Sequence, residues 1–182
     1  ILTTHFGAMP LIVGVLNYCQ MDVSCLIRFP SEEFKNLHES KARLLVRELG
    51  YGRIKIYEAD KQPMMKIYSA LEAGQTIFTV LDEHTAASKN INFLGKVMTG
   101  GAGIDQIINS FGKDKLKAYF SVMVRVEDSY RLDLHRINLN KDNYIQDIFN
   151  LFEEYVVKNY EQWFFLQEVH ENIPDYLKGN VK

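Results

Sequence analysis

The sequence predicts an α/β fold with a mixed, largely parallel central sheet flanked by helices. Three observations carry that expectation. In the first half, short β-type runs alternate with amphipathic helical runs, the pattern of parallel strands joined by helical crossovers. The second half changes character and contains two apolar runs separated by a polar turn, which adds an antiparallel pair. Finally, 182 residues with 47% hydrophobic and 24% charged side chains suffice for one domain with a core. That composition excludes disordered, collagen-like and coiled-coil classes.

The elements follow in order. Ile1 to His5 reads as a buried strand, and Gly7 turns the chain into a helix from Met9 or Pro10 to Tyr18. Pro10 suits the first helical position, where its missing N–H is not needed. Val23 to Phe29 is the next strand. Ser31 caps a long helix with Glu32 and Glu33 in its first turn and Phe34, Leu37, Leu44 and Leu45 at helical spacing, until Gly50 stops it. Arg53 to Tyr57 alternates as a strand, Pro63 to Ala73 is a helix ended by Gly74, and Thr76 to Leu81 is a buried strand ending at Asp82. Beyond it, Ile104, Ile107, Ile108 and Phe111 mark a short helix, and Tyr119 to Val126 pairs with Leu132 to Ile137 across Glu127 to Tyr130. Ile145, Ile148, Phe149, Phe152, Tyr155 and Val156 share one face of a last helix from Asp142 to Lys158, and Gln162 to Leu166 closes as an apolar run. No repeat, low-complexity tract or linker interrupts the chain, so residues 1–182 read as a single domain.

Charge and composition narrow the function classes. A net charge of −2 provides no whole-protein field for polyanions, so nucleic acid is not an expected partner. Cys19 and Cys25 have neither the CxxC spacing of a zinc knuckle nor a disulfide framework and read as buried thiols. The longest apolar run, Met9 to Leu16, is far short of the roughly 18 residues needed to span a bilayer. The opening ILTTH lacks Met, a basic n-region and a cleavage site, which reads as a fragment whose missing start could include a membrane anchor.

Chemistry can gather at the ends of the predicted strands. In open α/β sheets ligands bind in the crevice outside the carboxyl ends of the strands, and both His5 and Asp82 end strands. If those strands run parallel, the Asp82 carboxylate lies on the same rim as His5 and can orient or charge-stabilise it. The backbone N–H groups of Gly7, Ala8 and Met9, at the start of the next helix, can face a developing oxyanion. Plainer roles exist for each: a strand-end histidine that only hydrogen-bonds, and a loop-capping aspartate. Asp82-Glu83-His84 suggests metal ligands, but consecutive residues on an extended segment point to opposite sides and no HExxH or CxxC spacing accompanies them. No metal site is expected. Thr99-Gly100-Gly101-Ala102-Gly103 reads as a loop before a helix that lacks the Lys-Ser/Thr of a P-loop. Arg43, Arg47, Arg53, Lys55, Lys61 and Lys66 form a local basic excess, either a solvated face or a docking surface for something anionic.

Five segments in order resemble the late acyltransferases of lipid A biosynthesis, the lauroyl and myristoyl transferases of the wider glycerolipid acyltransferase group. His5-Phe6-Gly7 within THFGAMPL is similar to the family's HFGNWE-like block, and Arg47-Glu48-Leu49-Gly50 to its Arg-before-Gly block. Leu71-Glu72-Ala73-Gly74 with Leu81-Asp82-Glu83 resembles a third block, Asn92-Phe93-Leu94-Gly95 a fourth, and Tyr160-Glu161-Gln162-Trp163-Phe164-Phe165 the closing PEQWLW-like block. The resemblance spans Ile1 to about His170. It implies transfer of a fatty acyl group from an acyl carrier protein or acyl-CoA thioester to a hydroxyl of a lipid acceptor, without a further cofactor. It also implies a location at the cytoplasmic face of the bacterial inner membrane, or in the cytoplasm, with the membrane surface as a partner. Carried over by position, His5 and Asp82 would be catalytic, and Gly7, Arg47, Glu83 and Gly95 would bind substrate.

Two departures bear on this. Pro10 stands where the family has the acid of its His-x4-acid dyad, and Gln167-Glu168-Val169-His170 replaces a His-Arg-Arg stretch. Three readings follow: an acyltransferase in which Asp82 or Glu83 replaces the missing acid; an acyltransferase-fold protein that has lost turnover and binds acyl chains or partner proteins; and an acyltransferase with an amine or secondary-metabolite acceptor.

Overall fold

The computed structural model describes residues 1–27, 31–49, 53–58, 63–82, 89–100 and 102–164. The chain forms two compact units: Ile1–Thr3 with Pro10–Thr79, and Thr4–Met9 with the chain from Val80.

The first unit follows the predicted strand–helix alternation. Its elements are β1 (Leu2–Thr3), α1 (Pro10–Tyr18), β2 (Val23–Ile27), α2 (Glu32–Leu49), β3 (Ile54–Glu58), α3 (Pro63–Glu72) and β4 (Thr76–Val80). The strand order is β3-β2-β4-β1. β2 pairs in parallel with β3, Val23 facing Ile54, and with β4, Val23 facing Thr76. At β1, the Ile1 nitrogen donates to the Ile77 carbonyl (2.6 Å) and the Thr79 N–H donates to the Ile1 carbonyl (3.1 Å). One residue bonded to the two neighbours of its partner is the parallel pattern, with Ile1 facing Phe78. Ile12, Leu16, Val23, Cys25, Ile67 and Phe78 are among the buried residues of this unit.

Asp22 fastens the starts of three strands. Its carbonyl accepts the Thr76 N–H (2.8 Å), and its carboxylate accepts the Arg53 N–H (3.0 Å) and the Arg53 guanidinium (2.7 and 3.1 Å). Arg53, part of the basic excess, is thus a structural cation. Cys25 is buried on β2, and burial pushes its thiol up to about 12. Cys19 departs from the expectation of a buried thiol: it is exposed, because α1 ends at Tyr18 and Cys19 falls in the turn that follows.

The second unit is built from hairpins and helices. β5 (Lys89–Phe93) pairs antiparallel with β6 (Lys96–Gly100), α4 spans Ala102–Phe111, β7 (Ala118–Val126) pairs antiparallel with β8 (Ser129–Ile137), and α5 spans Tyr144–Lys158. The β7–β8 turn is the tight two-residue kind, with Glu127 at φ +51°. On α5, Ile145, Ile148, Phe149, Phe152 and Val156 are buried at the predicted helical spacing. Phe152 stacks on Phe93 (5.3 Å between centroids) and meets Phe6 (5.8 Å), Trp163 (5.9 Å) and Phe120 (6.2 Å) edge-on. Such offset and edge-to-face pairs add stability beyond the area they bury.

The fold is therefore α/β with six strands of mixed and mostly parallel pairing, plus the β5–β6 hairpin. That hairpin was not expected from the sequence. The Thr99–Gly103 loop is also corrected: Thr99 and Gly100 belong to β6, and Ala102 begins α4. Gly100 sits there because a Cβ would come within 2.9 Å of the Leu81 carbonyl oxygen. Among the described residues no helix is long and apolar enough to cross a membrane.

Candidate active site

The parallel register of β1 and β4 anticipates the site. Ile1 faces Phe78, and the same offset of 77 residues separates His5 from Asp82. Both residues belong to the second unit.

The segment carrying His5 has almost no regular structure, yet its backbone is densely bonded. The Phe6 N–H donates to the Thr4 carbonyl (2.8 Å), a tight turn that places His5 at its apex. The Phe164 N–H donates to the His5 carbonyl (2.8 Å), the Gly7 N–H to the Gln162 carbonyl (2.7 Å), and the Ala8 N–H to the Met123 carbonyl (3.1 Å). Gln162 is itself fixed, its side-chain amide bonded to both the N–H and the carbonyl of Arg125 (2.8 and 3.0 Å). Gly7 sits at φ +57°, where a Cβ would lie 1.9 Å from the Met123 oxygen. Only glycine allows this approach.

The Asp82 side chain is fully buried. Its carboxylate accepts the His5 backbone N–H (2.9 and 3.1 Å to the two oxygens), the His5 ring Nδ1 (2.9 Å) and the Trp163 indole N–H (3.4 Å). Because the carboxylate oxygens act as acceptors, the bond assigns a proton to Nδ1. The imidazole side chain is 21% exposed. An imidazole whose Nδ1 is tied to a buried carboxylate has the orientation that general-base catalysis requires. Beside it stands the exposed ring of Phe164, 6.1 Å from the imidazole centroid.

The other predicted residues distribute differently. Gly7 serves the backbone approach just described. Its N–H and that of Ala8 are taken by carbonyls, so of the three amides expected to face an oxyanion two are committed to the fold. Gly95, exposed at φ +73°, forms the β5–β6 turn with the buried Leu94 at φ +50°. Arg47 lies on α2 in the first unit, and its side chain is outside the described residues, as is Glu83. Pro10 opens α1, so the carboxylate that pairs with His5 comes from Asp82 instead of that position. Among the described residues no group of His, Cys, Asp and Glu gathers to hold a metal, and His84 lies outside them.

Residue-by-residue reasoning missed Trp163 as a bonding partner. The signal was there: the one tryptophan of the chain, near the start of an apolar run, carries an N–H that needs an acceptor when buried. A cavity of about 400 Å³ in the same unit is lined by other residues, neither His5 nor Asp82. No protein-family model and no curated protein matches the sequence, so the geometry of the His5–Asp82 pair is what carries a functional reading.

Proposed function

We propose that this chain is a fatty acyltransferase that moves an acyl group from an acyl carrier protein or acyl-CoA thioester to a hydroxyl of a lipid acceptor. One observation carries the reading: the buried Asp82 carboxylate 2.9 Å from His5 Nδ1, held there also by the His5 amide and Trp163. In the reaction His5 Nε2 takes the acceptor O–H proton as the oxygen attacks the thioester carbonyl. The C–S bond then breaks and the leaving thiolate receives the proton from the imidazole. Asp82 holds the ring and stabilises the imidazolium, a role whose removal behind a serine-protease histidine costs about 10⁴ in turnover. The exposed Phe164 ring offers an apolar wall beside the imidazole, which suits an acyl chain. In this reading the fold is of the glycerolipid acyltransferase kind, the acceptor is lipid A-like, and the protein works at the cytoplasmic face of the bacterial inner membrane.

The test is thioester turnover. The protein, His5→Ala and Asp82→Asn are incubated with acyl-CoA or acyl carrier protein and a lipid acceptor, and free thiol release is measured. The expected loss is about 10²- to 10⁴-fold for His5→Ala, the range for a positioned general base. Equal rates would remove His5 from the mechanism.

A second reading, a relative that binds acyl chains or a partner without turnover, is favoured by one observation: the Gly7 and Ala8 amides are already bonded to Gln162 and Met123. Acyl-thioester binding with no thiol release in any variant would select it.

A further inference from the structure

At the open end of the β7–β8 hairpin lies a site unconnected with His5. Gly112 at φ +104° turns the chain out of α4 into a short 3-10 turn, Lys113–Lys115, that leads to β7. The last rung of the hairpin pairs Ala118 with Ile137. Lys117 and Asn138 therefore sit just past the ladder, and Arg136 and Asn138 alternate onto the same face. These segments line a half-open cavity of about 400 Å³, within the size range of small-molecule sites.

Its lining has two parts. Leu116, Ile137 and Leu139 supply apolar surface, while Lys113, Lys117 and Arg136 supply three cations against one carboxylate, Asp114. Among the described residues none of the three cations makes an ion pair, in contrast with Arg53, Arg131 and Lys141, each of which does. The Lys113 ammonium lies 5.9 Å from the centroid of the Tyr144 ring, a contact that steadies the side chain and leaves its charge uncompensated. Cations of like sign around one concave site repel each other, and an anion relieves the repulsion. Lysine and arginine together are a common phosphate-recognising pair, the guanidinium through its fork and the ammonium as a point charge.

We infer that this cavity is a binding site for a phosphate-bearing small molecule, with the phosphate held by Lys113, Lys117 and Arg136 and the uncharged body against Leu116, Ile137 and Leu139. The inference stands apart from the acyl-transfer reading.

Calorimetric titration of the full chain with ADP and with inorganic pyrophosphate tests it. Both probes are expected to bind at low ionic strength, and affinity is expected to fall as salt rises. Tighter binding of ADP than of pyrophosphate would support the apolar contribution of the floor. The double variant K117Q/R136Q is expected to bind at least tenfold more weakly, and Asp114→Asn severalfold more tightly. Since these side chains lie on the surface, unchanged circular dichroism is expected for each variant. Absence of binding by both probes at millimolar concentration overturns the inference, and so does binding that is indifferent to all three substitutions. Should K117Q/R136Q fail to fold, Asp114→Asn and the salt dependence of the unaltered chain decide.

Discussion

The two units are stabilised in different ways. In the first, parallel strands are pinned at their starts by Asp22, while the helices leave large apolar side chains such as Leu11, Tyr18, Phe34 and Leu37 exposed. In the second, Phe6, Phe120, Phe149 and Phe152 are each less than 2% exposed, and a run of non-repetitive backbone is bonded at nearly every residue. The His5–Asp82 pair lies in the second. A catalytic geometry needs side chains held to fractions of an ångström, and the dense aromatic packing supplies that where a strand ladder alone would not.

Two glycines sharpen the contrast most. Gly7→Ala forces a Cβ to 1.9 Å from the Met123 oxygen at a positive φ, so a strand must move. The expected loss is about 4 kcal/mol or more, at the exceptional end for a point substitution. Gly14, inside α1, has nothing within 4 Å of its would-be Cβ. Gly14→Ala is therefore expected to stabilise by about 0.5–1 kcal/mol through helix propensity. Urea unfolding followed by circular dichroism reads both. Similar losses at the two sites would show that backbone packing does not separate the units.

Two phenylalanines make the next comparison. Phe152, fully buried among five other rings, is expected to cost about 3–5 kcal/mol on replacement by alanine. Phe34, 42% exposed on α2, is expected to cost below about 1 kcal/mol, as surface sites usually do. A Phe34→Ala loss as large as that of Phe152→Ala would mean that the first unit buries more than its exposure indicates.

The first unit was largely legible in sequence because its signals are local. Helical spacing on α1 and α2, Pro10, Gly74 and the short β-type runs each act within a few residues of themselves, and the crossover pattern implied parallel strands. That in turn brought His5 and Asp82 to one rim by register. The β5–β6 hairpin was missed for a physical reason. Its turn carries positive φ at Leu94 and Gly95, where the usual cue is Asn-Gly, and its strand edge is satisfied from afar. The Gln146 side chain bonds both backbone groups of Asn92 (2.9 and 2.7 Å), and Glu153 accepts the Leu94 N–H (2.8 Å). Gly7 shows the same limit. A glycine before a helix reads as a turn, and nothing near it in sequence reveals that the Met123 carbonyl sets its identity. Contacts made by segments remote in the chain leave no periodicity to read.

Acid titration offers the smallest effect and separates the units by chemistry. Asp22 is held below the usual carboxylate range chiefly by its hydrogen bonds from Arg53. At Asp133, partial burial pushes the carboxyl up, but the hydrogen bonds from Arg131 (2.9 and 3.0 Å) and the Tyr155 hydroxyl (2.9 Å) outweigh it and leave it lowered. His135 completes that cluster, its Nε2 2.7 Å from the Tyr155 oxygen. A carboxyl lowered in the folded state releases its proton more readily there than in the unfolded chain. Its stabilisation is therefore present above the unfolded value near 3.8 and is lost as pH falls through the folded value. Between about pH 5 and about pH 2 the unaltered chain is expected to lose more stability than Asp133→Asn, by at most about 1 kcal/mol for so exposed a pair. Trp163, in the second unit, follows this change by fluorescence, whereas Asp22→Asn is expected to blunt the acid loss seen by circular dichroism and leave the tryptophan transition in place. Acid profiles that coincide for the unaltered chain and both variants would place the acid sensitivity outside these two carboxylates.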